Sequence, residues 1–236
     1  MQEVQQVLVA YDRSGMSQEA LKRGISVARK KEAQLIVVHV IEPLFVQSPY
    51  AESIDEDTIR LQITKEIDRF NDKAQVEYML FVESGKAVET IILQAEKTQT
   101  DLIVVGSHGK DDVDSNYFGS TTLKLIQRTH IPILIVKNRI DTIYQHMLAP
   151  TNLSAYSKES ILFANTLFTK PTRKYLYAYE TIDRLQARTY HFSDEEAEGL
   201  RQIKTTDAEK ALKRFANEVD EGARELNSDT DAINEE

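Results

Sequence analysis

The sequence predicts an α/β fold that is built on a parallel β-sheet. Up to about residue 138, short apolar runs alternate with longer stretches of helical periodicity, which is typical of βαβ units. With 236 residues and 41% hydrophobic content, the chain is long enough to bury such a core. The predicted strands span residues 7–11, 35–41, 76–82, 102–105 and 133–136.

The predicted helices between these strands carry apolar residues on one face. The first helix begins near Ser17, a residue type that favours helix N-termini, and the second spans residues 55–75. Apolar residues recur at the spacing of one helix face, so we expect these faces to cover the sheet. They are Leu21, Ile25 and Ala28 in the first helix, Ile59, Ile63, Ile67 and Phe70 in the second, and Ala87, Ile91, Ile92 and Ala95 in the third.

The composition argues against several classes of function. A formal net charge of -9 argues against a protein that grips nucleic-acid phosphates, because such binding depends on clustered lysine and arginine. Cysteine is absent, which excludes disulfides and thiolate metal sites. No window approaches the ~20 apolar residues of a membrane span, and no basic segment precedes an apolar stretch at the N-terminus. We therefore expect a cytoplasmic protein that binds neither nucleic acid nor membranes.

The first strand and the start of the first helix recur later in the chain. Residues 7–17 align without a gap on residues 147–157, at a shift of 140 positions, which indicates a tandem repeat. Asn152 stands at the position of Asp12. Nothing after residue 180 resembles the segment DLIVVGSHG of the first copy. The second copy is therefore incomplete, and we expect it not to bind a ligand in the same way.

The chain therefore divides into four predicted segments. The second copy continues through a predicted strand at residues 174–179 and a charged helical region at 194–226, in which residues 205–207 favour an interruption. Its short sheet would leave open edges and an apolar face, which we expect the first domain or a second chain to cover. The segments are a first domain at 1–138, a linker at 139–146, a partial second repeat at 147–226 and a polar tail at 227–236.

The main functional signal is a glycine-rich segment after the fourth predicted strand. The letters GSHG at residues 106–109 follow that strand, and GST at residues 119–121 opens a helix nine residues later. Glycines let the backbone approach a phosphate closely, and the free N–H groups of a helix N-terminus carry partial positive charge. The hydroxyls of Ser120 and Thr121 add donors. This order predicts an anion site, with simple turn formation as the alternative.

The segment differs from two common phosphate-binding motifs. A Walker A loop would place lysine before serine or threonine after its last glycine, and a dinucleotide fingerprint would read G-x-G-x-x-G. Without that lysine, and without an evident base or arginine beside the loop, the sequence shows no machinery for fast phosphoryl transfer. His39 and His108 are the nearest histidines, and neither has a partner placed for a catalytic triad. No catalytic residue is assigned.

The glycine spacing resembles the ATP-binding signature of the universal stress protein family, which is G-x-x-G, nine residues and G-[ST]. The matching residues are Gly106, Gly109, Gly119 and Ser120. The first strand, which ends in an acidic residue before a serine-containing turn, is also similar, as is His39-Val40 at the end of the second strand. The resemblance covers residues 4–137 fully and about 144–225 partially.

This resemblance implies a five-stranded parallel sheet with helices on both faces, of the Rossmann-like and adenine nucleotide alpha hydrolase-like kind. It implies that ATP or AMP lies at the carboxyl ends of the strands, where the strand order reverses. It also implies a role in stress response or regulation, with slow or no ATP hydrolysis. The implied nucleotide-binding residues are Ala10 and Tyr11 beside the adenine, Asp12 near the ribose, Val40 at the adenine edge, and Gly106, Gly109, Gly119, Ser120 and Thr121 around the ribose and phosphates.

By the same resemblance, two first domains pair through their last strand. That strand runs from Ile131 to Lys137, and the second repeat shows no counterpart of it. We therefore expect a homodimer that forms through this edge strand.

Two questions about charged residues stay open. Asp111, Asp112 and Asp114 lie in the nine-residue spacer, where they either face solvent or help to hold Mg²⁺ or Mn²⁺ that bridges the phosphates. Lys110 could partly offset their charge. Asp12, taken alone, is as typical of a turn as of a ligand contact.

Two other functions are compatible with the sequence. The same fold can serve as an interaction module that binds no nucleotide, and the acidic spacer and the incomplete second repeat favour this alternative. An electron-transfer flavoprotein-like domain shares the architecture and an AMP-type site, but it would need a flavin-carrying partner subunit.

Overall fold

The structure is a computed structural model, and it describes residues 3–42, 55–109, 118–139, 144–168 and 172–233. The chain separates into two compact units, Met1–Thr142 and Ile143–Glu236. Over the described ranges, the first unit contains a five-stranded sheet and the second a two-stranded sheet.

The first unit alternates strands and helices along the chain. Its elements are β1 (Gln6–Ala10), α1 (Gly15–Lys31), β2 (Gln34–Ile41), α2 (Glu56–Asn71), β3 (Tyr78–Ser84), α3 (Ala87–Lys97), β4 (Leu102–Gly106), α4 (Ser120–Arg128) and β5 (Ile133–Val136). The strands form one parallel sheet in the order β3-β2-β1-β4-β5. This confirms the predicted fold class, and the strand order reverses between β1 and β4.

Helices cover both faces of this sheet, which explains why its central strands are almost entirely apolar. On one face, Leu8 of β1 packs with Ile91 of α3 and Leu125 of α4. Val9 points to the opposite face, where Gly24 of α1 lies against it. The periodicity correctly predicted the buried residues Leu21, Ile25 and Ala28 in α1 and Ile63 and Ile67 in α2.

The first helix begins earlier than its sequence predicts. Ser14 is the N-cap, with extended backbone angles of φ -68° and ψ 163°, and its Oγ accepts a hydrogen bond from the Ser17 N–H at 3.1 Å. The prediction that the helix begins near Ser17 was therefore wrong by one turn. The two serines lie three residues apart, and the earlier one accepts the bond that the later one donates.

Asn71 ends α2 four residues before the predicted boundary. Its side chain accepts a hydrogen bond from the Val76 N–H at 3.0 Å and donates one to the Val76 carbonyl at 2.8 Å. Gln75 also has a left-handed φ of 51°, which cannot continue a helix. Because the Asn71 side chain engages both backbone groups of Val76, β3 begins at Tyr78 rather than at residue 76.

The second unit is a β-α-β unit followed by helices. Its elements are β6 (His146–Thr151), α5 (Ala155–Leu167), β7 (Thr172–Tyr177), α6 (Arg184–Thr189) and α7 (Asp194–Ile233). β6 and β7 pair in parallel, and their inner face packs on α5 and α7 through a cluster of Ala149, Ile161, Phe215 and Val219. β7 lies two residues before its predicted position of 174–179.

Helix α7 runs without a break for 40 residues. The interruption predicted near residues 205–207 is absent, because threonine and aspartate cost a helix only a few tenths of a kcal/mol each and Ala208 is buried beside them. The helix also continues past residue 226 into the segment predicted as a polar tail. No helix in the described part of the chain is long and apolar enough to cross a membrane.

The turns after β1 and β6 have the same geometry. Asp12 Oδ1 accepts a hydrogen bond from the Ser14 N–H at 2.9 Å, and Asn152 Oδ1 accepts one from the Ser154 N–H at 3.1 Å. The residue after each has a left-handed φ, 67° in the first turn and 62° in the second. Asparagine therefore forms the same turn as aspartate but without its negative charge.

Candidate functional site

The strand order leaves a crevice at the carboxyl edge of the first sheet. β1 pairs with β2 on one side and with β4 on the other, so the connections that leave β1 and β4 run in opposite directions. Ligands of open α/β sheets bind at such a switch point. The residues that follow β1 and β4 therefore form the candidate site.

Asp12 and Gly109 meet across this crevice. A Cβ built on Gly109 would lie 3.1 Å from Asp12 Oδ2, so the loop after β4 runs directly beside the carboxylate that follows β1. The other carboxylate oxygen of Asp12 forms the turn to Ser14. The turn-forming interpretation of Asp12 is confirmed, and a ligand contact through Oδ2 stays a prediction.

Gly106 is glycine because β4 approaches α1 closely. A Cβ at this position would lie 2.9 Å from the Met16 carbonyl carbon and 3.0 Å from the Ser17 nitrogen. The Gly106 carbonyl also accepts a hydrogen bond from Thr122 Oγ1 at 3.0 Å. Gly106 therefore fixes α1 and α4 against the end of β4, and its predicted contact with ribose and phosphate would have to be made by its backbone.

The N-terminus of α4 lies against the loop after β4. Gly119 is its N-cap, offers no side-chain cap, and donates its N–H to the Ser107 carbonyl at 2.8 Å. Ser120 is exposed and Thr121 is half-buried at the start of the helix. Neither α4 nor α1 carries an acidic residue in its first turn. The N-terminus of α4 thus keeps its partial positive charge, which favours an anion, whereas that of α1 is capped by Ser14 and lies beside the Asp12 carboxylate.

Tyr11 is buried at the end of β1. Its side chain is 2% exposed, and its hydroxyl donates to Glu66 Oε2 of α2 at 2.5 Å. Its N–H donates to the Val38 carbonyl at 2.9 Å, and its carbonyl lies 2.7 Å from His39 Nδ1. All three polar groups of Tyr11 are therefore engaged, and its predicted place beside the adenine stays untested.

Arg13 and Glu66 form a network that the sequence did not indicate. Arg13 Nη2 lies 2.8 Å from Glu66 Oε1, and Arg13 Nη1 donates to Gln62 Oε1 at 2.9 Å. Partial burial would raise the pKa of Glu66, but hydrogen bonds from Tyr11 and Arg13 outweigh it and hold that pKa below its ordinary value. Burial and the carboxylate of Glu66 together raise the pKa of Tyr11. The network joins the end of β1 to α2.

Ala10 and Val40 lie at the same edge of the sheet. Both are half-buried, and both pack against the core cluster that α3 and α4 cover. Each therefore presents only part of its surface at the carboxyl edge, and contact with an adenine ring stays a prediction for both residues.

The proposed metal ligands lie outside the described residues. Asp111, Asp112 and Asp114 fall there, as does Lys110. Within the described ranges, no group of three or more histidine, aspartate or glutamate side chains is placed to hold a metal ion.

The second unit does not reproduce the carboxylate at its corresponding position. Asn152 Oδ1 accepts hydrogen bonds from the Ser154 N–H at 3.1 Å and from Ser157 Oγ at 2.5 Å. Its oxygen is therefore engaged within the turn. The glycines after β7 lie at positions 199 and 222 on α7, and no glycine loop follows a strand in the described part of this unit.

The fold and this edge define a doubly wound α/β domain with a candidate anion site. Residues 3–137 match the sequence profile described as the Universal stress protein family. Since this match covers more than half of the 236 residues, the chain belongs to the universal stress protein family.

Similar proteins include universal stress proteins from archaea and bacteria. One from Methanocaldococcus jannaschii is 27% identical over 137 residues, which cover 56% of this chain and 81% of that protein. Universal stress protein A homolog 1 of Coxiella burnetii is 35% identical over 117 residues, or 46% and 79% of the two chains. Among solved structures, a universal stress protein from Archaeoglobus fulgidus in complex with dAMP aligns with a TM-score of 0.44 and 19% identity, over 58% of this chain and 100% of that one.

Proposed function

We propose that this chain binds an adenine nucleotide, ATP or AMP, at the carboxyl ends of β1 and β4. Its role would be in stress response or regulation in the cytoplasm, with slow or no ATP hydrolysis. The observation that carries the proposal is the approach of Gly109 to Asp12, because it brings the two halves of the predicted site together across the crevice. Membership of the universal stress protein family supports it.

The proposed site has a phosphate end and a nucleoside end. The phosphates would lie at the uncapped N-terminus of α4, where free N–H groups and two hydroxyls can donate hydrogen bonds. Asp12 Oδ2 would accept a hydrogen bond from a ribose hydroxyl. The proposed contacts are Gly109, Gly119, Ser120 and Thr121 at the phosphates, and Ala10, Tyr11, Asp12, Val40 and Gly106 at the nucleoside.

Gly119→Val tests this assignment. Gly119 has backbone angles of φ -60° and ψ 156°, which valine adopts without backbone strain, and far-UV circular dichroism checks that the variant folds. Its side chain would fill the space in front of the α4 N–H groups. We expect isothermal titration to show ATP binding by the wild type and affinity weakened by about tenfold or more in the variant, a loss of ~1.4 kcal/mol.

The matched control is Gly199→Val, because a side chain added at Gly199 of α7 meets no atom within 4 Å. This variant should bind ATP as the wild type does. Absence of ATP and AMP binding by folded wild-type protein would overturn the proposal.

Titrations with and without Mg²⁺ test whether Asp111, Asp112 and Asp114 hold a metal. If they do, Mg²⁺ should tighten ATP binding by the wild type and should not tighten ATP binding by Asp112→Asn.

The alternative is an interaction module that binds no nucleotide. The acidic spacer favours this alternative, because its carboxylates would repel a triphosphate beside them. A folded wild type that binds neither ATP nor AMP would select this alternative.

We also propose that the second unit is a partial and degenerate repeat of the first, within residues 147–226. Support comes from the shared turn geometry at Asp12 and Asn152 and from the parallel pairing of β6 with β7. In this proposal each chain has one nucleotide site, and two chains pair through β5.

A further inference from the structure

The side chain of His108, in the loop after β4, has a buried nitrogen without a hydrogen-bond partner among the described residues. Its Nε2 is shielded from solvent and makes no hydrogen bond to any described residue. A buried polar group that stays unpaired is costly, and such groups in folded proteins usually meet a ligand, an ion or ordered water. The unpaired nitrogen therefore indicates that something else binds at this point of the loop.

The other nitrogen of the His108 ring is already engaged. Ser107 Oγ lies 2.8 Å from His108 Nδ1. If the hydroxyl donates to Nδ1, the single proton of the neutral ring is on Nε2, which then becomes a hydrogen-bond donor. An anion at this edge of the sheet favours that tautomer, because it accepts hydrogen bonds and donates none.

Ser107 is held rigidly, and it holds the ring in turn. Its side chain is fully buried, its N–H donates to the Val136 carbonyl at 2.9 Å, and its carbonyl accepts from Gly119 at 2.8 Å. The residue thus joins β4, β5 and the start of α4. His108 follows directly, and on its other side Gly109 approaches Asp12. The unpaired nitrogen therefore belongs to the loop between the two proposed ends of the site.

We propose that His108 Nε2–H donates a hydrogen bond to a phosphate oxygen of the bound nucleotide, and that Ser107 acts as a positioning residue that fixes the tautomer. This inference rests on the proposed function and adds a side-chain donor to a site that otherwise relies on backbone groups and hydroxyls. It predicts that the His108 imidazole accounts for part of the difference in affinity between a nucleotide and the corresponding nucleoside.

Two variants of His108 test the donor. His108→Leu removes it, whereas the amide of His108→Gln reaches a position close to that of Nε2 and can still donate. We expect isothermal titration to show ATP affinity reduced by about tenfold in His108→Leu, as for a hydrogen bond to a charged group, and largely restored in His108→Gln. Equal ATP affinity in the two variants would overturn the inference.

A measurement on the wild type keeps the test independent of variant folding. In ¹⁵N-histidine-labelled protein, we expect His108 to carry its proton on Nε2. Saturating ATP should shift the Nε2 resonance of His108, while the resonances of exposed His191 in the second unit should stay unchanged.

Ser107→Ala tests the positioning role and should populate the other tautomer and weaken ATP binding. A proton on Nδ1, or an Nε2 resonance that ATP leaves in place, contradicts the inference.

The outcomes separate this inference from the proposed function. A wild type that binds no ATP overturns both. A wild type that binds ATP with no response at Nε2 and with full affinity in His108→Leu overturns only the role of His108.

Discussion

Consecutive residues at the end of β1 serve different partners. Tyr11 turns into the protein and bonds Glu66 of α2, whereas Asp12 forms the turn and faces Gly109. Arg13 then adopts a left-handed φ of 67° and returns to Glu66. A non-glycine residue in this region is uncommon, and Leu153 adopts a similar φ after Asn152, so the conformation belongs to the turn that Asp12 and Asn152 form. The carboxylate of Glu66 thus connects the residues around the β1 turn to α2.

The carboxylate of Glu66 should make stability depend on pH. Its pKa in the folded protein is lower than the ordinary 4.5, so its contribution is fully present above that value and is lost as pH falls through the folded pKa. We expect Glu66→Gln to lower the free energy of unfolding at neutral pH. The difference from the wild type should shrink once pH falls below about 4.

Urea unfolding between pH 3 and pH 7, about the range over which glutamate titrates, measures this difference. Glu83→Gln, which removes an exposed charge at the end of β3, controls for the change in net charge. A Glu66→Gln effect that is the same at every pH would show that the ionised carboxylate contributes nothing to folding.

The sequence predicts the glycines of the site but not their separate roles. Gly109 and Asp12 each follow a strand of one parallel sheet, so their meeting follows from the fold class. Gly106, in contrast, is needed because α1 packs too close to it to leave room for a side chain, and this packing cannot be inferred from the local sequence. The pairing of Arg13 with Glu66 joins residues 53 positions apart on a turn and a helix, and no local pattern signals it.

At the level of elements, the two edge strands of the first sheet, β3 and β5, have different surroundings. β3 closes one edge with α2 beside it, whereas β5 closes the other and has no strand on its outer side within the described residues. Pro132 and Val136 accept hydrogen bonds from β4 and the residue after it. Because backbone groups alternate along a strand, the N–H groups of Ile133 and Ile135 point to the outer edge. These groups are the ones that a second copy would pair.

Ile135→Pro should therefore separate the proposed dimer. Proline removes one outward N–H and leaves the hydrogen bonds between β4 and β5 in place. We expect light scattering at micromolar concentration to give a dimer for the wild type and a monomer for the variant. Ile135→Ala, which loses the core packing but keeps the N–H, should remain dimeric. A monomeric wild type would contradict pairing through this edge.

Element boundaries were predicted well where periodicity decides them and poorly where side chains intervene. β5 lies at its predicted residues, since its apolar run follows Pro132 directly. α2 ends early because the Asn71 side chain satisfies the backbone of Val76. α7 continues through Thr205 and beyond because packing along the helix outweighs weak local propensities.

At the level of the whole molecule, the two units share a turn and a β-α-β order but differ in the segments after the second strand of each. The first unit completes five strands and carries the glycine loop, and the family profile covers residues 3–137 of it. The described part of the second unit has two strands, and its turn carries Asn152 in place of a carboxylate. The expected result is one nucleotide per chain.

Amide chemical shifts of the full chain during titration with AMP test this central claim most directly. We predict saturable shifts at Asp12, at residues 107–109 and at residues 119–121. The matching turn of the second unit, residues 152–157, serves as an internal control and should not respond. Saturation should occur at one AMP per chain. Shifts confined to the second unit, or no shifts at all in folded protein, would contradict nucleotide binding at the carboxyl ends of β1 and β4.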